Sequence, residues 1–391
     1  MQTTMSEDQA AFIPEVSEKS TGKINYINHL KVLLTVLVVL HHAFITYGAP
    51  GGWYYQQKDT HMAALFPMTL FVATNQSFFM GFFFFMSALF VGPSLQKKGT
   101  GKFLADRLKR LGIPLVFYSL ILSPILNYLV AYFGNGHHYT FMQYLSGYDD
   151  WIDFGVLWFV AALLLFNFVY LIVKSIPALN FNIKVNFPSN KIILIAAFLL
   201  GLVSFLVRLE FPTGWTLKPL GFQLGHFPQY ITLFMLGLIA SNNNWLSQLN
   251  LKQGKNMRRM VILMVLIVLP AIFVASLITK APLNEFNGGW NPFVFSYSLW
   301  EQMTGIMIMT ALLCIAKFKW NTPSGFLSGL SASAFGVYIF HPLVLISLSL
   351  LVKAWAVDPI IKLVIVGPSA VALSFVLVAF IRKIGFVRRI I

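Results

Sequence analysis

Long apolar runs, separated by short polar or charged stretches, extend along almost the whole chain. A helix of about 18 or more apolar residues is long enough to cross a hydrocarbon core of roughly 30 Å. The pattern therefore predicts an all-α protein, a polytopic integral membrane helix bundle with about ten transmembrane helices. The predicted spans are residues 27–48, 67–92, 111–133, 155–174, 191–210, 226–241, 259–279, 296–316, 331–352 and 360–381.

The connections between these spans differ in their content of lysine and arginine. With the N-terminus placed on the cytoplasmic side, 22 of the 28 Lys and Arg residues fall on that side and 6 on the other. Cytoplasmic loops of membrane proteins carry the excess of basic residues. The count therefore predicts an even number of spans, with the N- and C-termini both cytoplasmic.

Composition agrees with a membrane protein. Of the 391 residues, 57% are apolar and 10% are charged, whereas soluble domains carry roughly 25% charged residues. The basic residues behind the net charge of +15 lie between apolar runs, which is typical of membrane topology and predicts no nucleic-acid partner. The single cysteine, Cys314, lies within a predicted span, which excludes a disulfide framework and a cysteine-based metal site.

The two ends of the chain differ in character. Residues 1–23 are polar and acidic and contain no apolar run. They are predicted to form a disordered cytoplasmic tail rather than a signal peptide. No linker or internal repeat divides the remainder, so residues 24–391 are predicted to form one transmembrane domain.

The first span carries ionisable residues in a regular register. Lys31 and His42 are eleven residues apart, which places both on one helix face, roughly 16 Å apart along the axis. Lys31 is then predicted at the cytoplasmic mouth and His42 near mid-membrane, while His41 points about 80° away. An imidazole there can act as a general base towards a hydroxyl or carry an acyl group itself. A structural histidine that joins two helices explains the pattern equally well.

A basic stretch precedes the third span. Arg107 and Arg110 lie three residues apart at its start, with Lys97, Lys98 and Lys102 nearby. Guanidinium groups three apart on a helix can face one ligand, and they suit phosphate oxygens. The stretch fits a cytoplasmic cofactor that bears several phosphates. A loop that meets anionic lipid head groups is the alternative.

Three predicted outer loops are rich in aromatic, amide and glycine residues: residues 48–57, 134–153 and 284–293. Such loops can pack around a sugar-like ligand, although Trp and Tyr also favour the membrane interface. His137 and His138 share a loop with three aspartates, but their spacing does not match a metal-ligand pattern. We therefore predict a solvated loop and no metal.

Two further polar residues lie within predicted spans. Glu301 can orient an acceptor hydroxyl, pair with Arg208 or reach the membrane interface as a snorkelling side chain. His341 precedes Pro342, where helix irregularity often accompanies polar groups, and it is either structural or catalytic. The pattern GxSxG is absent, so a serine-hydrolase mechanism has no support.

Several short motifs follow one another along the chain: the Lys31–His42 register, Arg107 and Arg110 followed by Pro114, FFFFMSALF (82–90), GVLWFVAALLLF (155–166) and SASAFGVYIFHPLV (331–344). In this order they resemble the acyltransferase-3 family of bacterial integral-membrane O-acyltransferases, which acylate surface glycans, lipopolysaccharide and periplasmic glucans. The resemblance extends over residues 24–381. It singles out Ser87, Trp158, Tyr338, His341 and Pro342. The predicted acceptor-binding or supporting residues are Ser87, Trp158, Glu301 and His341.

The resemblance implies an enzyme of the bacterial inner membrane. It would move an acetyl or succinyl group from cytoplasmic acyl-CoA to a hydroxyl of an extracytoplasmic glycan or lipid-linked acceptor. Lys31, Arg107 and Arg110 would hold phosphates of the acyl-CoA, and His42 would be the general base or the acyl carrier. The family has arginine where this chain has Lys31, so the planar guanidinium that binds a phosphate with two parallel hydrogen bonds is absent. It has glycine where this chain has Ala88, so less room is left for a close contact between two helices.

A transporter or flippase of a glycan intermediate is the alternative from another class, because carriers also hold polar sites near the midplane. The sequence shows neither an inverted repeat nor a matched pair of broken helices, the two features that would favour a transporter. A membrane anchor without chemistry leaves the Lys31–His42 register unexplained. No pattern on the chain distinguishes one oligomeric state from another.

Overall fold

The computed structural model describes residues 24–57, 61–179 and 184–391. It is 77% helical, with no strand among the residues it describes. Within those residues ten helices are long and apolar enough to span a membrane, which confirms the predicted all-α bundle. They are α1 (Asn25–Thr46), α2 (Ala64–Lys98), α3 (Thr100–Gly134), α4 (Gly155–Ser175), α5 (Asn190–Glu210), α6 (Leu224–Asn242), α7 (Leu251–Ile278), α8 (Pro292–Lys319), α9 (Gly325–Leu351) and α10 (Pro359–Ile381).

The end of the bundle at which α1 begins is called the basic end here, and the opposite end the outer end. The predicted tail, residues 1–23, lies outside the described residues. The prediction that residues 24–391 form one transmembrane domain stays a prediction.

Several helices begin before the apolar run that predicted them. The Asn250 side chain accepts a hydrogen bond from the Lys252 backbone N–H at 2.7 Å, and α7 begins next to it, eight residues before the predicted start. The Ser324 hydroxyl accepts from the Leu327 N–H at 3.2 Å at the start of α9. Hydropathy marks only the apolar part of a helix, whereas the capping residue sets where it begins.

Helix α3 begins at Thr100, eleven residues before the predicted start, so Lys102, Arg107 and Arg110 are helical, whereas Lys97 and Lys98 end α2 before Gly99. Three segments of α3 are π-helical: Leu108–Gly112, Tyr118–Leu122 and Val130–Gly134. Pro114 and Pro124 follow the first two. A proline has no N–H to donate, so the helix is rewound locally with i→i+5 bonds around it.

Helix α2 is interrupted, whereas the sequence predicted one continuous span over 67–92. At the first interruption the Ser77 carbonyl accepts a hydrogen bond from Gln229 Nε2 at 2.7 Å. Gly305 of α8 has no side chain where this carbonyl lies. Irregular backbone is tolerated at membrane depth when it is buried in protein and its polar groups are paired. The three segments are Met62–Gln76, Phe79–Ala88 and Val91–Lys98.

Ala88, the residue in place of a glycine, lies in the contact between α2 and α6. A Cβ built on Gly237 of α6 would lie 2.6 Å from the Ala88 Cβ. Ala88 was expected to leave less room for a close contact between helices. That contact is kept because the residue on the facing helix is a glycine, which has no side chain.

The helices that hold the candidate site pack on one another directly. α1 packs against α9 and α10, and α9 packs against α10. A Cβ built on Gly336 of α9 would lie 2.5 Å from Val378 Cγ1 of α10, so this approach requires glycine. α8 lies at the centre, with 72% of its most apolar window buried, whereas α7 lies at the periphery with 11%.

Candidate active site

His42 of α1 contacts His341 of α9. The His42 Nδ1 atom lies 3.0 Å from His341 Nε2, although 299 positions separate the residues. The two rings are nearly parallel, at 13°, with centroids 5.1 Å apart. His341 is fully buried, whereas His42 is half-buried. His42 is therefore the member of the pair that keeps access to a ligand.

The backbone of α9 orients His341. Its Nδ1 atom lies 2.9 Å from the Tyr338 carbonyl oxygen and 3.2 Å from that of Val337. A carbonyl oxygen only accepts, so His341 Nδ1 carries a proton. Pro342 lacks the N–H that would otherwise donate to the Tyr338 carbonyl four residues earlier. The proline thus leaves this carbonyl free to orient the histidine.

These contacts determine which nitrogen of each neutral ring carries the proton. With a proton on Nδ1, a neutral His341 has a lone pair on Nε2 and accepts from His42. His42 Nδ1–H is then the donor, and His42 Nε2 keeps its lone pair. A histidine oriented through one ring nitrogen, with the other free, is the arrangement found in catalytic bases.

The loop between α1 and α2, residues 47–57, lies over this pair. The Trp53 indole stacks on the His42 imidazole, with centroids 4.0 Å apart and planes 15° apart. It also lies parallel to His341, at 6.0 Å. The Trp53 Nε1 atom is buried and has no hydrogen-bond partner among the described residues.

Tyr54 anchors the same loop. Its hydroxyl lies 2.9 Å from the Tyr118 hydroxyl of α3. Gly155, at φ +42°, has no Cβ where the Tyr54 hydroxyl packs. Burial raises the pKa of Tyr54, and the nearby Asp153 carboxylate raises it further, so the hydroxyl keeps its proton at neutral pH.

His41 has a different surrounding. It is buried, and its Nδ1 accepts from Asn75 Nδ2 at 3.2 Å. Its ring packs near Phe79 across the interruption of α2, at 4.9 Å between centroids. His41 thus ties α1 to α2, and the two neighbouring histidines face different partners.

The bounds of α1 locate the predicted pair along that helix. Lys31 lies six residues after the start of α1, and His42 lies four residues before its end. At 1.5 Å per residue these positions are about 9 Å and about 6 Å inside the respective ends. His42 therefore lies in the outer third of α1 and Lys31 in the third nearest the basic end, and their depths in the bilayer stay predictions.

The three predicted phosphate-binding cations lie on two helices, α1 and α3. Lys31 is half-buried on α1. Arg107 is half-buried on α3, its guanidinium 4.9 Å from the Phe103 ring centroid, and Arg110 is exposed. Residues 108–112 pack against α4.

Ser87 and Trp158 lie apart from His42. Ser87 is half-buried in α2, eight residues beyond Phe79 and so about 12 Å nearer the basic end. Trp158 of α4 stacks on Tyr230, with centroids 5.4 Å apart. Its helix is tied to the histidine pair by the Tyr338 hydroxyl, which donates to the Val156 carbonyl. The start of α4 thus contacts the surroundings of the site through Tyr338 of α9 and, at Gly155, through Tyr54 of the α1–α2 loop.

Glu301 lies in a buried ionic cluster near the outer end. Arg208 Nη2 donates to Glu301 Oε2, and Arg208 Nη1 donates to the Ser298 hydroxyl at 3.1 Å. Their side chains are 0% and 1% exposed, so the interpretation of Glu301 as a snorkelling side chain is wrong. His226 Nδ1 accepts from Arg208 at 3.2 Å. Glu301 Oε1 has no hydrogen-bond partner among the described side chains.

Some residues around the site were not identified from sequence: Trp53, Asn75 and His226. Trp53 lies in a loop singled out for its aromatic content, but nothing in that content shows the loop returning over α1. Asn75 and His226 are single polar residues in apolar runs, which is itself a signal of a paired group. In the described residues no three His, Cys, Asp or Glu side chains are grouped as a metal site requires.

The ten apolar spans and the polar histidine pair between α1 and α9 define a multi-pass membrane protein with a reactive site inside its helix bundle. The acyltransferase-3 family model, described as an acyltransferase domain, matches residues 24–379, nearly the whole chain. The chain belongs to this family and is a membrane acyltransferase. No curated protein and no solved structure matches it.

Proposed function

We propose that the protein transfers an acyl group, acetyl or succinyl, from acyl-CoA to a hydroxyl of an extracytoplasmic glycan or similar acceptor, with His42 as the general base. The observation that carries this proposal is the chain of hydrogen bonds from His42 through His341 to the Tyr338 carbonyl. This chain of hydrogen bonds leaves a lone pair on His42 Nε2, and His42 is the member of the histidine pair that a ligand can reach.

His42 alone can take up and return the proton that this reaction transfers. The acceptor hydroxyl oxygen attacks the thioester carbonyl carbon while its proton passes to His42 Nε2. The tetrahedral intermediate then collapses, the carbon–sulfur bond breaks, and the leaving sulfur takes the proton from His42 to give free CoA. While His42 is protonated, its Nδ1–H still donates to His341, which holds the ring in place.

The charge distribution supports a donor that enters from the basic end. Lys31 is on the same face of α1 as His42, roughly 16 Å from it. Arg107 and Arg110 lie towards the same end on α3. We assign this end to the cytoplasm of a bacterial inner membrane, because cytoplasmic loops carry the excess of basic residues. The acceptor would approach past Trp53 from the outer end.

Purified protein in detergent with radiolabelled acetyl-CoA and succinyl-CoA tests this function. We expect CoA release by the wild type, no turnover but intact CoA binding by His42→Ala, and weaker CoA binding by Arg110→Ala. Lys109→Ala removes an exposed charge beside Arg110 and is the matched control. Folded wild-type protein that neither binds nor cleaves either thioester would overturn the proposal, and transport of a glycan intermediate would then be tested.

Rapid acid quenching of the wild type with labelled acetyl-CoA, without acceptor, tests the role of His42. A general base leaves the protein unlabelled, whereas an acyl carrier retains the label. We expect no protein-bound label. Label that appears on the wild type and is lost in His42→Ala would contradict the assignment of a base.

A further inference from the structure

Arg382 follows α10 at the basic end, and its side chain reaches back into the bundle. Its Nη1 atom donates to the Ser333 hydroxyl of α9 at 3.1 Å. Ser333 is itself buried and lies eight residues after the start of α9, about 12 Å along that helix. The Arg382 Nε atom is buried without a hydrogen-bond partner among the described residues. The guanidinium is therefore held in place with part of its donor capacity unused.

Lys31 of α1 faces the same region. It lies three residues after Asn28 on α1, so the two side chains project from one face of that helix towards α9. The neighbouring contact between Asn28 of α1 and Ser331 of α9, at 3.2 Å, holds these two helices together beside them. Three helices thus bring two cations to one place.

No carboxylate neutralises this pair within the described residues. Asp106 is the acidic residue nearest the basic end in that part of the chain, and it pairs with Lys98 at 2.6 Å. Neither Lys31 nor Arg382 takes part in an ion pair there. Two unpaired cations at membrane depth are costly, and a bound anion relieves that cost.

The two cations share their helices with the histidine pair. Lys31 and His42 lie on one face of α1, and Ser333 and His341 lie eight residues apart on α9, about 12 Å along its axis. A ligand held by an anionic group at Lys31 and Arg382 would extend between α1 and α9 towards His42. A thioester on a phosphate-bearing arm has this form.

We propose that Arg382, oriented by Ser333, binds a phosphate group of the acyl-CoA donor together with Lys31. The inference rests on the proposed function. Arg382 lies beyond residues 24–379, which the family model matches, so the family pattern does not include it. Its planar fork supplies at this site the geometry that the lysine at position 31 lacks.

Turnover with acetyl-CoA and with S-acetylpantetheine, which has no phosphate, tests the inference. We expect Arg382→Gln to raise the KM for acetyl-CoA and the Kd for CoA by about tenfold or more, with little change in kcat. Turnover with S-acetylpantetheine should stay at the wild-type level. Arg382→Lys should recover part of the CoA affinity, and Ser333→Ala should weaken it to a smaller extent.

Lys383→Gln removes the same charge from an exposed neighbouring position and is the matched control. Equal effects of Arg382→Gln and Lys383→Gln, or equal losses with both donors, would overturn the role of Arg382 and leave the proposed function intact. A folded wild type that binds no CoA would instead overturn the proposed function itself. Thermal melting in detergent shows which variants are folded.

Discussion

Each histidine of the pair has one ring nitrogen engaged by a defined partner, and the protonation of both rings follows from that. Tyr338 and Pro342 act on His341 through the backbone, and His341 acts on His42 through its lone pair. In the proposed mechanism the two side chains therefore take different roles: the buried His341 positions His42, and the half-buried His42 meets the substrate.

His341→Leu tests this division. It removes the acceptor of the His42 Nδ1–H, so the His42 ring loses its orientation. We expect kcat to fall by roughly 10²–10⁴-fold with little change in the donor KM. His341→Gln should recover part of kcat, because its amide oxygen can accept the same hydrogen bond.

His41→Leu is the control, since His41 is equally buried and bonded but faces Asn75. A loss of kcat in His41→Leu as large as in His341→Leu would contradict a specific positioning role. Steady-state kinetics and thermal melting of the three variants give the comparison.

The Arg208–Glu301 pair poses a separate question at the residue scale, because both charges are buried. Glu301→Gln leaves the Arg208 charge without its partner, which typically costs about 3–5 kcal/mol. We expect a clear drop in thermal stability, whereas Glu210→Gln, at an exposed position on α5, should change little.

The double variant Arg208→Met with Glu301→Leu removes both charges and should recover most of the stability. If the Arg208–Glu301 pair has only a structural role, the double variant should also recover acyl transfer. If Glu301 orients the acceptor hydroxyl, the double variant will be stable yet inactive, and the structural assignment will be wrong.

The chemistry-bearing residues of α1 could be predicted because they lie on one helix. The eleven-residue spacing of Lys31 and His42 requires only helix geometry. The contact between His42 and His341 could not be derived in this way, because it depends on how two helices far apart in sequence pack. The stacking of Trp53 on His42 depends on the path of a loop, which has no periodicity to read.

At the scale of the helix, proline has two different roles in this bundle. Pro342 is buried in α9 beside the site, and Pro368 is exposed in α10. Each lies inside a continuous helix and removes one backbone N–H from it, but only at Pro342 is the freed carbonyl used by a histidine. The missing N–H at this point orients His341 rather than changing the course of the helix.

Replacing the two prolines separates these roles. Pro342→Ala restores an N–H that competes with His341 for the Tyr338 carbonyl. Removing a helix-interior proline can stabilise the helix by up to about 3 kcal/mol. We therefore expect Pro342→Ala to melt at the same or a higher temperature while losing at least about tenfold in kcat. Pro368→Ala should gain stability at unchanged kcat.

A Pro342→Ala variant with full activity would show that the freed carbonyl is not needed. Paired melting curves and acyl-transfer rates for the two variants decide this.

The helix-scale errors of sequence reasoning share one cause. An unbroken apolar pattern over 67–92 carries no mark of the interruption at Ser77, because that interruption is stabilised by Gln229 and Gly305 on other helices. Hydropathy likewise stops at the edge of the bilayer, whereas α3 and α7 continue beyond it as polar helix. The number and order of the spans can be predicted from local composition alone. Their interruptions depend on residues of neighbouring helices, which local composition does not include.

At the scale of the whole molecule, the two ends of the bundle differ in charge. Arg107, Arg110 and Arg382 lie towards the basic end, while His42 and the α1–α2 loop lie towards the outer end. The direction of acyl transfer therefore depends on which end faces the cytoplasm. The proposed orientation, with the basic end facing the cytoplasm, follows the positive-inside rule.

Cysteine labelling tests this orientation on one helix. Cys314 is buried and is the single cysteine of the chain, so a Cys314→Ala background accepts one reporter at a time. Lys255→Cys places a thiol in the first turns of α7, and Asn284→Cys places one in the loop after it; both positions are exposed. We expect a membrane-impermeant maleimide to label Asn284→Cys in intact cells, and Lys255→Cys only after the membrane is opened.

The two reporters are mutual controls, because they flank the same span and must lie on opposite sides of the bilayer. The reverse labelling pattern would place the His42 end towards the cytoplasm and exchange the donor and acceptor sides. The cations at Lys31 and Arg382 would then face away from the cytoplasmic supply of acyl-CoA, and the proposed route from α1 Lys31 to His42 would fail even if the His42–His341 chemistry were intact. Orientation and chemistry are thus tested independently.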